Sequence, residues 1–395
     1  MVHTRPRLLF LESLPTISGG QAVLLDLAHA LCTQDMPYDL WALLPGEGPL
    51  ADRLRALGVN CRFAPVGRYS LVHKTMADAA NYALRFPWLS LVVWRLIRTE
   101  RIDLVYANSS RTFVWGSLGA ALAGRPILWH QHSVLADGKS LALLNATGRL
   151  KAVRRIIAVS AAAAANLTAL AGKTVVVSNG VDMARFKPDP AAGSAARQAL
   201  GLPLEAQVIG IVGDLIKLKG QNTFLEAARR VGERLLSARF VLVGTPRPDA
   251  ESQRYAAELR QQAAPLDGRV IFAGQRSDIP AVLNALDILV VASTTETAPL
   301  VLLEALACGA PVVSTPVGRA PELLADRAAG RLFPIGDAGA LAQALLELLA
   351  VPDLRGQMGR HGRLLAEQRF PLARALDAIT AIIAAELPGA HANLH

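Results

Sequence analysis

Short apolar runs rich in Val, Ile and Leu alternate along the chain with Ala/Leu-rich stretches of helical period. In the first half the runs are 8–11, 40–44, 103–107, 126–130, 156–159 and 174–177, and helical windows occupy 22–31, 78–98 and 161–170. Nearly all-apolar runs belong to strands buried on both faces, and strand–helix alternation calls for a parallel sheet covered by helices on each side. The pattern stops across 179–195, where NGVDMARFKPDPAAGSA carries an Asn-Gly pair, two prolines and a glycine, the chemistry of turns and linkers. Strand candidates resume at 208–212, 240–243, 270–272, 288–291, 312–314 and 331–333, with helices at 223–236, 300–307 and 340–349. One amphipathic helix, 372–387, follows Phe370 and Pro371. The expected class is α/β, with two doubly wound parallel-sheet domains facing a cleft. Ligands of such sheets bind beyond the carboxyl ends of the strands.

At 395 residues the chain has room for two or three domains. Hydrophobic residues at 52% and charged ones at 18% exclude a disordered chain. Lys+Arg 41 against Asp+Glu 32 leaves +9, which favours anionic partners such as nucleotide phosphates or an anionic membrane surface. Nucleic acid is not expected, because the basic residues form no run and aromatics are only 5%. Cys32, Cys61 and Cys308 form no CxxC pair, so neither a disulfide framework nor a zinc site is expected, and a reducing, cytoplasmic setting is. The run 8–11 is too short for a signal-peptide core, and no apolar run approaches the ~20 residues of a membrane span.

The densest chemistry lies in STTETAPLVLLEALACGAPVVSTPVG, residues 293–318, after the strand 288–291. Glu296 falls in the loop and Pro299 suits a first helical turn, where its missing N–H costs nothing. The amides near Leu300 and Val301 then form a phosphate seat at a helix N-terminus. Glu304, further along, is placed to accept hydrogen bonds from vicinal hydroxyls such as those of a ribose. The plainer alternative makes Glu296 a helix cap and Glu304 a solvated residue. Gly19 and Gly20, after the first strand, allow close backbone approach at another helix start, or serve a simple turn. Lys217 and Lys219 follow the strand 208–212, either to neutralise a leaving diphosphate or as solvated lysines. Trp129-His130-Gln131-His132-Ser133 ends a strand, where a histidine is either buried structure or a site residue. The stretch 82–101 mixes Phe86, Trp88, Leu89, Val92, Val93 and Trp94 with Arg85, Arg95, Arg98 and Arg101. We expect its apolar stripe to pack on the first sheet with the arginines solvated, rather than to enter a membrane interface.

Glu296 and Glu304 make an E-x7-E spacing followed by Ala-Cys-Gly-Ala-Pro-Val-Val. Together with Ser18-Gly19-Gly20, Asn179-Gly180-Val181-Asp182 with Phe186 and Pro188, Gly213 through Lys219-Gly220, Pro321-Glu322 after Gly318, and Phe370, this order resembles the retaining glycosyltransferases of family 4 (glycosyl transferases group 1) over nearly the whole chain. The resemblance implies a GT-B fold with two Rossmann-like domains. Residues 1–182 would be the acceptor domain, with a C-terminal helix 371–388 packing back on it, and 183–370 the donor domain. It implies transfer of a sugar from a nucleotide-diphosphate sugar, a co-substrate, to a glycan, lipid-linked or small-molecule acceptor, with no cofactor and no metal. It further implies peripheral contact with the inner membrane face where the acceptor is lipid-linked. His132, Glu296 and Lys219 would be catalytic, and Gly19, Gly20, Lys217, Leu300, Val301 and Glu304 would bind substrate. Two positions depart from the family: Asp214 stands where it usually has arginine, and Arg319 where it often has glycine. An aspartate near a diphosphate is repulsive, so Asp214 motivates an alternative, an impaired GT-B binding or scaffold protein.

Overall fold

The structure, a computed structural model, describes residues 5–33, 38–66, 76–134, 138–266 and 268–387, the side chains of 76–83 and Lys139 excepted. Its strands follow the apolar runs. Those of the first half are β1 (Arg7–Leu11), β2 (Asp39–Leu44), β3 (Asn60–Phe63), β4 (Leu104–Ala107), β5 (Ile127–Gln131), β6 (Val153–Ala158) and β7 (Thr174–Val176). All pair in parallel, in the order β3-β2-β1-β4-β5-β6-β7. Period-2 alternation splits their side chains between two cores. Leu9, Leu11, Val105, Ile127 and Trp129 enter one face, and Leu8, Phe10, Leu104, Tyr106 and Leu128 the other.

The second half repeats the plan with β8 (Gln207–Val212), β9 (Ala238–Val243), β10 (Val270–Gly274), β11 (Ile288–Val291), β12 (Val312–Ser314) and β13 (Gly330–Leu332). The order is β10-β9-β8-β11-β12-β13, again parallel. Ile209, Phe240 and Val290 fill one face, and Val208, Val241 and Leu289 the other. The chain thus forms two Rossmann-like units, Met1–Asn179 with Arg374–His395, and Gly180–Ala373. The last helix, Leu372–Glu386, sends Ile379 and Ile383 into the core of the first unit beside Leu8 and Phe10.

Four local differences from the sequence reading have physical causes. β3 is absent from the apolar pattern, because this edge strand is exposed along most of its length and carries no apolar run. Residues 190–195, read as linker, begin the helix Pro190–Ala199, whose Ala192 N–H donates to the capping Asp189 carboxylate. Gly193 there is a packing glycine, since a Cβ would come 2.4 Å from the Asn284 carbonyl oxygen. The window 161–170 is helical only over Ala161–Ala164 and tightens to a 3-10 turn over Thr168–Lys173. Leu167 and Leu170, three residues apart, both reach the core, the repeat a 3-10 turn provides. Finally, Met76–Thr99 buries Leu89, Val93, Leu96 and Ile97 as expected but leaves a second apolar stripe in solvent.

Candidate active site

In each sheet the connection reverses direction once, between β1 and β4 and between β8 and β11. At such switch points the loops after adjacent strands diverge and leave room for a ligand at the carboxyl ends. Most of the residues singled out from the sequence gather at these two places; Lys217 does not.

In the second unit, Lys219 comes from the loop after β8 and Glu296 from the loop after β11. The Lys219 ammonium donates to Glu296 Oε1, which also accepts from Ser293 Oγ at 3.1 Å. The turn that carries Lys219 is built from glycine. Gly220 has φ +68°, and a Cβ there would sit 2.0 Å from the Ala292 carbonyl oxygen. Thr294 N–H donates to Leu218 O at 2.9 Å, which seats the turn on the β11 loop. The Lys219 stem lies along Gly213, whose Cβ would be 3.3 Å from Lys219 Cε.

Beyond Glu296, Pro299 is the N-cap of the helix Leu300–Cys308 and supplies no side-chain cap. The first amide to find a carbonyl is Leu302 N–H, on Pro299 O at 3.2 Å. The amides of Leu300 and Val301, one step earlier, are open-ended in the way of any first helical turn. Leu302, Leu303 and the stretch Ala305–Cys308 are buried, whereas Leu300, Val301 and Glu304 form the half-buried face of the helix. Gly318, with φ +55°, packs against Thr297 O and Pro299 Cδ and holds the loop in place. Burial first, and then the Glu304 carboxylate, push the Cys308 thiol up to about 12, so that thiol stays protonated.

The two departures each have a partner. Asp214 Oδ2 accepts from Arg247 Nε at 2.8 Å, so a guanidinium stands beside the carboxylate at the ends of β8 and β9. Lys217 is exposed, as the solvated-lysine alternative has it, and its ammonium lies 3.8 Å from the Glu251 carboxylate. Arg319 pairs with Glu322 and lies over the Phe370 ring, 4.9 Å from its centroid.

In the first unit, three adjacent strands, β1, β4 and β5, deliver Glu12, Asn108 and His132. Glu12 is fully buried and accepts from the N–H groups of Ser13 and Leu14 on Oε1. Its Oε2 accepts from Asn108 Nδ2 at 2.8 Å, and the same amide group donates to Gly20 O at 3.1 Å. Both partners are acceptors, so the nitrogen end of Asn108 must face them and Oδ1 must face His132 Nε2, 3.0 Å away. His132 therefore donates through Nε2. Desolvation lowers its pKa to about 4, so the ring is neutral at pH 7 and Nδ1 is an acceptor. Gly20 is in contact with this ring: a Cβ would come 3.3 Å from His132 Cγ. Gly19 and Gly20 lie inside the first turn of the helix Gly19–Thr33 rather than in a loop ahead of it. His130 is different. It is buried, meets Tyr106 Oη at 2.7 Å, and burial lowers its pKa well below the usual range.

The structure thus brings Lys219, Glu296, Leu300, Val301 and Glu304 to one switch point, and Gly19, Gly20 and His132 to the other. Sequence reading missed Glu12, Asn108 and Arg247. The one signal was Glu12, a charge ending the apolar run 8–11.

Comparison with known proteins gives the same division. A Glycosyltransferase Family 4 model matches residues 17–185, and a Glycosyl transferases group 1 model matches 206–351. The UDP-Gal:alpha-D-GlcNAc-diphosphoundecaprenol alpha-1,3-galactosyltransferase of Escherichia coli is 28% identical over 360 residues, 88% of each chain. A D-inositol 3-phosphate glycosyltransferase of Saccharomonospora viridis is 34% identical over 209 residues, 51% of this chain and 48% of its own. Among solved structures, Anabaena HepE in complex with UDP-glucose superposes with a TM-score of 0.81 at 25% identity, covering 96% of this chain and 99% of that one.

Proposed function

The chain belongs to the family 4, group 1 glycosyltransferases with the GT-B fold, and from that premise we propose that it moves a hexose from a UDP-sugar, with retention of configuration, to a lipid-linked glycan acceptor. The UDP-sugars in the names of the Escherichia coli relative and the Anabaena complex support the donor, and the diphosphoundecaprenol of the former supports the acceptor. In this reading the second unit is the donor domain and the first the acceptor domain.

One observation carries the proposal: a lysine–glutamate pair, an uncapped helix N-terminus and a carboxylate one turn further on share one switch point. A diphosphate takes the Leu300 and Val301 amides and draws the Lys219 ammonium to itself. Glu304 accepts from the ribose hydroxyls. Glu296, still held by Ser293, is then free to accept from hydroxyls of the transferred sugar. His132 accepts from the same sugar through Nδ1. The acceptor hydroxyl attacks the anomeric carbon on the face the diphosphate leaves. The new C–O bond forms as the C–O bond to phosphate breaks, and the proton passes to the leaving phosphate oxygen. The protein contributes positioning and charge stabilisation.

Lys219 and the helix amides supply the positive charge that the leaving group needs in this scheme, which is therefore metal-independent. The Asp214–Arg247 pair also removes the motive for an impaired scaffold, since Asp214 does not present an unmatched charge. The test is a thermal-shift screen with UDP, GDP and ADP followed by turnover of the matching sugars. Stabilisation by UDP with release of UDP from a UDP-hexose supports the reading, and indifference to all three nucleotides refutes it.

A further inference from the structure

Arg247 has no part in the transfer scheme above. It lies in Thr245-Pro246-Arg247-Pro248, the loop after β9, where the two prolines restrict the backbone on either side of it. Gln253 Nε2 donates to Arg247 O at 3.2 Å and pins the carbonyl. This loop is laid on the loop after β8: Gly213 N–H donates to Val243 O at 2.9 Å, and Leu215 N–H to Thr245 O at 3.0 Å. Gly244, with φ +139°, permits the close approach, since a Cβ there would sit 2.0 Å from Gly213 O. Gly213 in turn borders the Lys219 stem, and its own Cβ would be 3.7 Å from Lys219 Nζ. The guanidinium thus meets Asp214, the residue next to the one that Lys219 lies along. It spends one nitrogen there: Nε donates to Asp214 Oδ2 at 2.8 Å, and among the described residues neither terminal nitrogen has a partner. The other acids of this loop are engaged. Asp249 accepts from Ser252 N–H and Ser252 Oγ, each at 2.8 Å, and Glu251 faces Lys217.

We propose that Arg247 binds the diphosphate of the donor, with Asp214 as the mount that holds its guanidinium at the site. A pair this exposed, 30% for the arginine and 40% for the aspartate, adds little to stability by itself. A guanidinium fixed through Nε keeps the N–H groups of both terminal nitrogens for an anion, and their fork matches two phosphate oxygens at once. Lys219 is shared with Glu296 in the empty site, so a second cation adds to the charge that a departing diphosphate meets. The acid at 214 is then not a gap in the anion site, because the neighbouring strand supplies the cation across it. The inference rests on the functional reading above and adds a residue to its donor site.

The test is calorimetric titration of UDP into the full chain and two variants, with uridine binding followed by ligand-observed NMR. Arg247→Gln should weaken UDP about tenfold or more, through the loss of charge-assisted hydrogen bonds, and leave uridine unchanged. Retained uridine binding also reports that the variant is folded. Asp214→Asn keeps an oxygen for Arg247 Nε and removes a charge that repels the diphosphate, so its UDP affinity should equal or exceed that of the wild type. Equal UDP affinity in the wild type and Arg247→Gln overturns the proposal and leaves the functional reading standing. Parallel UDP losses in the two variants, or a uridine loss as large as the UDP loss, overturn it in favour of an ion pair that only shapes the loop. A wild type indifferent to UDP, GDP and ADP refutes the functional reading, and this inference falls with it.

Discussion

Glu12→Gln tests the first-unit network at its buried end. In the wild type, Glu12 Oε2 takes one Asn108 N–H and Gly20 O takes the other, which leaves Asn108 Oδ1 for His132. The introduced glutamine keeps one oxygen for Ser13 and Leu14 and turns its amide nitrogen toward the Asn108 nitrogen. Two donors cannot face each other, so Asn108 flips. Gly20 O loses its partner, and Asn108 presents N–H to His132. His132 must then carry its proton on Nδ1, the nitrogen that accepts from the sugar in our scheme. Leaving the Gly20 carbonyl without its partner costs about 1–3 kcal/mol of stability. The inverted tautomer removes one contact from the transition state, about 1.4–2.7 kcal/mol, or roughly 10- to 100-fold in kcat/KM. The assay pairs steady-state kinetics with 15N NMR of labelled histidine, and UDP affinity should be unchanged because the scheme seats the nucleotide on the other unit. A wild-type His132 already protonated on Nδ1 would refute the reasoning, as would a Glu12→Gln variant with wild-type tautomer and rate.

Three further outcomes follow from the same geometry. Lys219→Ala should lose roughly 100- to 1,000-fold in kcat while UDP affinity falls much less, since its charge matters most as the phosphate leaves; equal losses would reduce Lys219 to a donor-holding role. His132, with its pKa lowered to about 4, stays neutral in the folded chain while an unfolded histidine protonates near 6.5. Its contribution to stability is therefore full above about pH 6.5 and declines as pH falls toward 4, where the unfolded chain binds the extra proton; His132→Gln should flatten that slope in denaturant titrations, and an unaltered slope would contradict the assignment. Turnover should survive EDTA, because the cations of the scheme are side chains and amides; inactivation reversed by a divalent metal would overturn that part.

The architecture was readable because each buried strand announces itself as an apolar run, and the bounds of β11 and β12 match the runs residue for residue. β3 was not readable, because an exposed edge strand has no such run. The helix Pro190–Ala199 hid behind Pro190 and Gly193, which look like linker but serve as a first-turn proline and a packing glycine. The local motif around Glu296 and Glu304 was visible because one loop and one helix carry it. Glu12, Asn108 and His132 are neighbours only through the strand order β1-β4-β5, and Asp214 meets Arg247 only because β8 lies beside β9. Spacing along the chain holds no record of that adjacency. The exposed Trp88 and Leu91 were hidden differently: the helix is apolar on two faces, and the pattern does not say which one the sheet covers.

The central claim is that Glu304 grips the ribose of a nucleotide whose diphosphate rests on the Leu300 and Val301 amides. Isothermal titration calorimetry of UDP against the wild type and Glu304→Ala addresses it most directly. Binding should weaken by about 1–3 kcal/mol, roughly fivefold to over a hundredfold in Kd, with an unchanged melting temperature of the free protein. Equal UDP affinity in the two proteins would contradict it.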